Sequence, residues 1–277
     1  MLTNLDKETT ARLRDVMIEL LDELARICEE NNLTYYITGG TLLGAVRHRG
    51  FIPWDDDIDV AMPRNDYEIF IDICCRNTDT KYYIISHKTL SINAHYHYVP
   101  YAKFCKKGTI FGESTLQNSD DYSGICIDIF PTDNSIVFLF PIQNMLTTFS
   151  WKLYRAKMRR HIPSNKAKRF FVKMLCCITP IWFCKWLIKI SYTILDRFNT
   201  KYISRLSSPK KRMRVPQKHD TIFPLSKQSF EGKKYWAPGN WDKYLTNFYG
   251  NYRELPPDEQ RVDHSPVIII TNDYTGP

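Results

Sequence analysis

The stretch Gly39-Gly40-Thr41-Leu42-Leu43-Gly44-Ala45-Val46-Arg47-His48-Arg49-Gly50-Phe51-Ile52-Pro53-Trp54-Asp55-Asp56-Asp57-Ile58-Asp59-Val60-Ala61-Met62 carries two local patterns from which the fold follows. The first is a turn. A β-prone run, Tyr35 to Thr38, ends at Gly39-Gly40-Thr41, and a helical stretch follows from Leu42 to about Arg47. Strand, glycine turn and helix start together bring backbone N–H groups to one point, the usual cradle for a phosphate. Two glycines are also what a plain tight turn needs. The second pattern is alternation. From Asp57 to Met62 the sequence predicts a strand with Asp57, Asp59 and Ala61 on one face and Ile58, Val60 and Met62 on the other.

Two carboxylates on one strand face stand roughly 6–7 Å apart. They repel unless a cation sits between them, and oxygen-only ligation suits Mg²⁺ or Mn²⁺, which also bind phosphate oxygens. Asp55/Asp57 is an equally spaced pair, but hydrophobic residues flank Asp57/Asp59, which is preferred. Asp128, inside Ile127-Asp128-Ile129-Phe130, is a third candidate, because a charge among apolar neighbours is costly unless paired or metal-bound. A charge-guarded edge strand is the alternative account of the acidic run. Arg47 and Arg49 are candidate phosphate contacts. Trp54 abuts the acidic run and, with Trp236 and Trp241, is a candidate aromatic wall for a quaternary ammonium group. His95 and His97 share a strand face without an evident third ligand, and His48 and His264 read as ordinary polar residues.

Outward from this centre, residues 8–31 form an amphipathic helix pattern through Leu13, Val16, Met17, Leu20, Leu24 and Ile27. A helix capped by Asn65 or Asp66 is expected to turn Ile69, Phe70 and Ile73 inward. Further strands are predicted at 82–86, 98–104, 109–112 and 125–130. A helical, basic stretch from about 136 to 207 is broken at Pro180. A basic loop (209–216) precedes a loop-rich C-terminal part with a short helix near 241–248.

The 277 residues carry a net charge of +8, unevenly distributed. Residues 150–218 hold 19 Lys/Arg and one acid, Asp196, whereas the remainder is net acidic. A basic segment on an acidic body points to an anionic partner. Here its charges interleave with long aliphatics rather than a base-stacking platform, which favours a membrane surface over nucleic acid. Phe170, Phe171, Met174, Leu175, Ile178, Trp182, Trp186 and Ile190 form its apolar stripe. The run from Met174 to Cys184 is too short to span a bilayer, which needs about 20 residues. Eight cysteines without a C-x-x-C spacing read as reduced, mostly buried thiols. Asp6, Glu8, Arg12 and Arg14 rule out a signal-peptide core at the N-terminus. Hydrolase, P-loop, zinc-protease and dinucleotide fingerprints are absent.

The run from Gly40 to Arg64 resembles the signature of the LicD family, with echoes at Ile127-Asp128-Ile129-Phe130-Pro131, Phe230-Glu231-Gly232, Tyr249-Gly250, Pro256-Pro257 and Arg261. The resemblance implies an α+β, nucleotidyltransferase-like fold shared distantly with polymerase β: a small mixed sheet flanked by helices. It implies one catalytic domain over 1–277, with the basic helical stretch 136–215 inserted in it. It further implies that Gly39 and Gly40 hold phosphate and that Asp57, Asp59 and Asp128 hold the metal; Thr41, Arg47 and Trp54 are added as substrate or phosphate contacts from the residues themselves. The superfamily's hydrophobic-Asp-hydrophobic pattern suits Asp59. LicD proteins are taken as phosphocholine transferases using a CDP-activated donor and a glycan acceptor, while relatives such as fukutin move ribitol phosphate. The expectation is therefore a Mg²⁺- or Mn²⁺-dependent transferase acting on a glycan or lipid-linked glycan. Phosphocholine is the leading group, with ribitol or glycerol phosphate as alternatives. The expected location is cytoplasmic, peripheral at the inner face of the membrane and held through 150–218, with no nucleic-acid partner. The competing classes are a nucleic-acid-binding protein and a non-catalytic membrane-associated scaffold.

Overall fold

The computed structural model describes residues 7–77, 81–89, 100–113, 124–157, 200–257, 261 and 266–270, with scattered positions between 172 and 190. His95, His97 and His264 lie outside the described residues, as do Phe170, Phe171 and Leu175 of the apolar stripe. The chain is α+β and divides into two compact units, residues 1–131 with 220–277, and residues 132–219.

The first unit opens with α1 (Lys7–Glu30), whose stripe of Leu13, Met17, Leu20, Leu21 and Leu24 is fully buried. These leucines and methionine recur at three- and four-residue spacing, so one face of the helix is apolar and packs inward. The sheet of this unit runs in the order β1 (Tyr36–Ile37), β2 (Asp59–Pro63), β6 (Cys126–Ser135), β4 (Ala102–Lys106), β3 (Tyr82–Ile85). The interior strand β2, between β1 and β6, buries Val60, Ala61 and Met62 alike, so both faces are covered there. Around the sheet lie α2 (Gly39–His48), α3 (Arg64–Arg76) and α5 (Trp241–Tyr249). Two antiparallel pairs complete the unit: β9 (Ser226–Phe230) with β10 (Lys233–Ala237), and β5 (Thr109–Glu113) with β11 (Pro266–Ile270).

The structure corrects several expectations. Strand β2 begins at Asp59, so Asp57 lies in the extended approach to it. Helix α2 begins at Gly39 itself, made possible by that residue's positive φ of 58°. In α3 the inward face is Tyr67, Phe70 and Ile71, while Ile69 is exposed. Asp66 does not cap its own helix; its carboxylate accepts the Thr34 amide at 3.0 Å. The C-terminal part holds the β9–β10 hairpin, whose turn at Glu231-Gly232 takes positive φ at both residues. Cys105 and Cys126, expected as reduced thiols, are joined in a disulfide. They are 21 residues apart in sequence, and only the β4–β6 register sets them opposite each other, with Cα atoms 4.0 Å apart. Of the free cysteines Cys28 is buried and Cys75 exposed.

In the second unit, the end of β6 pairs with β7 (Tyr202–Ser204), and β7 with β8 (Gln217–Lys218), both antiparallel. Helix α4 (Phe140–Lys157) follows β6. The predicted helical run to 207 therefore ends sooner: Tyr202–Ser204 is a strand, and the basic loop contains a 3₁₀ turn, Lys211–Arg214. Among the described residues no helix is long and apolar enough to cross a membrane.

Candidate active site

The glycine turn and the acidic run meet. Thr38 donates its backbone N–H to the Asp59 carbonyl at 3.0 Å, and the Asp59 N–H donates to Thr41 Oγ1 at 2.8 Å. These two bonds lash the start of α2 to the start of β2. A side chain on Gly39 would collide with the Asp59 carboxylate, and one on Gly40 with that of Asp55. The same position on Gly40 lies 3.8 Å from Asp57 Oδ1. Glycine is thus required twice in succession because three carboxylates crowd the first turn of the helix. That crowding is electrostatically favourable, since the helix start presents N–H groups and the positive end of the peptide dipoles.

Asp128 joins from the neighbouring strand. Its N–H donates to the Ile58 carbonyl at 2.9 Å, which sets it beside the residue between Asp57 and Asp59. Its carboxylate accepts from Lys103 Nζ at 2.7 Å and from the Tyr101 hydroxyl. Tyr101 reports on the whole group. Burial first, then the charges of Asp128 and Asp59, the hydrogen bond to Asp128 and the charge of Asp57, push its hydroxyl well above the ordinary value. The phenol is thus a proton-bearing donor aimed at the carboxylates. Among the described residues no three carboxylate, histidine or cysteine side chains are gathered closely enough to cage a metal ion as they stand. The donor set itself, carboxylate oxygens from β2, the segment leading into it and the adjacent β6, is of the kind a hard divalent cation takes.

Comparison with known proteins shows the family. Residues 32–174, more than half of the chain, match the family described as LicD/FKTN/FKRP, nucleotidyltransferase domain. The chain belongs to that family. The lipopolysaccharide cholinephosphotransferase LicD of Haemophilus influenzae is 28% identical over 263 residues, covering 90% of this chain and 93% of that protein. Uncharacterised proteins of Rickettsia prowazekii and Rickettsia typhi are each 44% identical over 50 residues, which is 18% of this chain.

The remaining predicted residues of this LicD-family chain make contacts of their own. Arg47 is on the last turn of α2, roughly 12 Å along the axis from Gly39. Its guanidinium donates to the carbonyls of Tyr252 and Glu254 at 3.1 and 3.4 Å and to His48 Nε2 at 2.9 Å. Burial, and then the neighbouring Arg47, push the His48 imidazole below its ordinary value, which suits it to accept that bond. The half-buried Trp54 meets His48 edge-on at 6.3 Å and carries the Arg261 guanidinium 4.9 Å above its ring. Trp236 is exposed on β10 with Lys227 Nζ 4.7 Å over its ring. Arg49 ends α2 in the left-handed region, and its carbonyl accepts the Glu231 N–H at 3.0 Å.

Four supporting residues have contacts that the sequence alone does not give, although Glu231 stands in the echo Phe230-Glu231-Gly232. Arg14 on α1 donates through Nη2 to the carbonyls of Ile52, Pro53 and Asp55 at 3.1, 3.1 and 3.3 Å, and its guanidinium lies 4.9 Å over Phe51. Glu231 accepts the Phe51 N–H at 2.9 Å. Together they grip the loop that carries the acidic run. Tyr244 on α5 shares a buried 2.7 Å hydrogen bond with Thr38, the residue before the glycine pair. Tyr101, the fourth, precedes β4 and holds Asp128. Each is far from the acidic run in sequence, so no local pattern announces it.

Proposed function

We propose that this chain is a metal-dependent transferase of nucleotidyltransferase-like fold, moving phosphocholine from CDP-choline onto a cell-surface glycan or glycolipid. The observation that carries the reading is the meeting of Asp57, Asp59 and Asp128 beside Tyr101, at the glycine start of α2. Full-length similarity to a lipopolysaccharide cholinephosphotransferase supports the choice of group and acceptor.

Asp57, Asp59 and Asp128 are the residues that would hold Mg²⁺ or Mn²⁺. When bound, the ion supplies neutralisation of the donor's phosphate charge and activation of the attacking hydroxyl. Asp128 now rests on Lys103. Taking up a cation would mean exchanging that ammonium for the ion, leaving Lys103 beside the site as a partner for phosphate. The Gly39 and Gly40 amides and the dipole of α2 would hold phosphate oxygens. In the transfer, an acceptor hydroxyl oxygen forms a bond to the choline-bearing phosphorus. The bond from that phosphorus to the bridging oxygen breaks, CMP departs, and the hydroxyl proton passes to a carboxylate of the trio. Arg14, Glu231 and Tyr244 keep the acidic loop and the glycine turn in register throughout.

The test is a donor screen with CDP-choline, CDP-ethanolamine, CDP-ribitol and CDP-glycerol under Mg²⁺ and Mn²⁺, reading CMP release. CMP release with CDP-choline that stops in EDTA is expected. Preference for a polyol donor overturns the choline assignment, and unchanged turnover in EDTA overturns the metal.

A further inference from the structure

The first three turns of helix α4 are built inside out. The face they bury is polar, with Gln143, Thr147 and Ser150, at four- and three-residue spacing, all buried; the last turns bury Leu153, Tyr154 and Ala156 in the ordinary way. The face the first turns expose is apolar. Phe138 in the preceding turn is 78% exposed, Ile142 59%, Met145 66% and Phe149 47%, again at four- and three-residue spacing. A helix on a water-soluble body has the opposite arrangement, with its apolar stripe toward the core. Contiguous exposed apolar surface of this kind marks a contact.

The buried polar side is satisfied. Ser135 Oγ donates to Gln143 Oε1 at 3.1 Å, and Gln143 Nε2 donates to the Asn134 carbonyl at 3.1 Å. Thr147 and Ser150 donate to the carbonyls of Gln143 and Leu146 at 2.8 and 2.7 Å. Arg214 reaches Asn144 Oδ1 and Thr148 Oγ1 at 3.2 and 2.8 Å. With Gln143, Thr147 and Ser150 turned inward and paired, the stripe Ile142, Met145 and Phe149 on the outward side carries no polar group. The sequence agrees: from Asn134 to Trp151 no residue is charged, and from Lys152 to Lys218 Lys and Arg crowd the chain with Asp196 the single acid. Trp182 and Trp186, in the same unit, are also exposed.

We infer that α4 is an in-plane membrane helix, its Phe138–Ile142–Met145–Phe149 face lying among acyl chains while the basic residues that follow it contact anionic headgroups. The uncharged stretch from Asn134 to Trp151, followed by a dense basic run that begins in the last turns of α4, is what selects a lipid surface as the occupant: the two parts match the two layers of an anionic monolayer. The inference shares with the proposed function only a lipid-linked acceptor, and donor turnover in solution tests that reading separately.

The experiment is flotation of the full chain with vesicles of phosphatidylcholine, with and without phosphatidylglycerol. Melting temperature and soluble CMP release from CDP-choline are followed in parallel. The wild type is expected to float with anionic vesicles, less so as salt rises. The triple variant Ile142→Ser, Met145→Ser, Phe149→Ser should lose about tenfold or more of its vesicle affinity while its melting and soluble turnover stay as in the wild type. Met145→Asp alone, at a side chain that packs against little, should lose binding too, since a carboxylate resists transfer to lipid; it keeps the test open should the triple variant fail to fold. Vesicle binding untouched by Met145→Asp overturns the inference. So does a wild-type dimer, seen by light scattering, that these substitutions disperse without changing vesicle binding, because the stripe would then be covered by a second copy.

Discussion

Lys103 and Asp128 face each other directly across the β4–β6 pairing, and the lysine ammonium donates to the carboxylate at 2.7 Å. A protein cation therefore occupies one member of the trio to which the metal is assigned. Lys103→Met removes this competitor. We expect the Mg²⁺ concentration for half-maximal CMP release to fall about fivefold, in line with a partly exposed ion pair of about 1 kcal/mol, while kcat drops because a phosphate partner is lost. A metal titration of both proteins checks this; an unchanged or raised requirement contradicts it.

Asp57→Asn and Asp59→Asn should each abolish transfer with little loss of melting temperature, since each relieves repulsion among crowded carboxylates. Asp128→Asn should be severe as well. Asp56→Asn is expected to be mild. An essential Asp56 with a dispensable Asp59 would shift the metal to the Asp55/Asp57 register.

Gly39→Ala meets two penalties, a left-handed backbone and a collision with the Asp59 carboxylate. Gly40→Ala meets only the collision, with Asp55. Both should lose activity. Gly39→Ala should also lose stability, by about 1–3 kcal/mol, read from urea unfolding. Equal unfolding midpoints for the two variants would count against the strained turn.

Arg14→Lys keeps the charge but gives up the reach and the planar guanidinium that lies over Phe51 while Nη2 meets the three carbonyls. A positioning role predicts a fall in kcat with KM for the donor nearly unchanged, and far-ultraviolet dichroism as in the wild type. A pure KM effect would instead put Arg14 in contact with substrate.

The region around α3 supplies a pH dependence. Burial pushes the Glu68 carboxyl up, but the hydrogen bond and charge of His87, then Arg64 and Lys88, outweigh it and hold the group at about 2. A folded value below the unfolded one means stability present above the ordinary value of about 4.5 and lost as pH falls toward 2. Melting temperature should therefore drop across that window, and less steeply in Glu68→Gln. Superimposable curves would remove Glu68 from the acid response.

What was legible in the sequence was whatever one element writes by itself. The stripe of α1 follows helical spacing, and the glycine pair and acidic run sit within 21 residues of each other, so turn, strand and carboxylates could be read together. What was not legible depends on partners distant in the chain. Cys105 and Cys126 are paired by strand register, not by spacing. Tyr244 and Arg14 look like ordinary core or surface residues until the fold brings them to Thr38 and to the acidic loop, and the echo at Phe230-Glu231-Gly232 does not say that Glu231 meets Phe51. Ile69 was placed inward because periodicity leaves the phase of a short stripe open by one residue, and packing of Tyr67, Phe70 and Ile71 chose the other phase. The 136–207 stretch was read as helical because apolar runs with interspersed lysines do not reveal whether their apolar side meets core, lipid or a neighbouring strand.

The grip of Arg14 and Glu231 on the loop from Phe51 to Asp55 has a bearing on heredity and on engineering. The run from Gly40 to Arg64 has the outward form of a cassette, short and contiguous, for recombination or design to move between scaffolds. It is not one. Its conformation is stored in a guanidinium borrowed from the first helix and a carboxylate borrowed from a hairpin some 180 residues downstream. A graft that carries the signature alone leaves its fasteners behind, so the motif is inherited as a spatial whole or not at all.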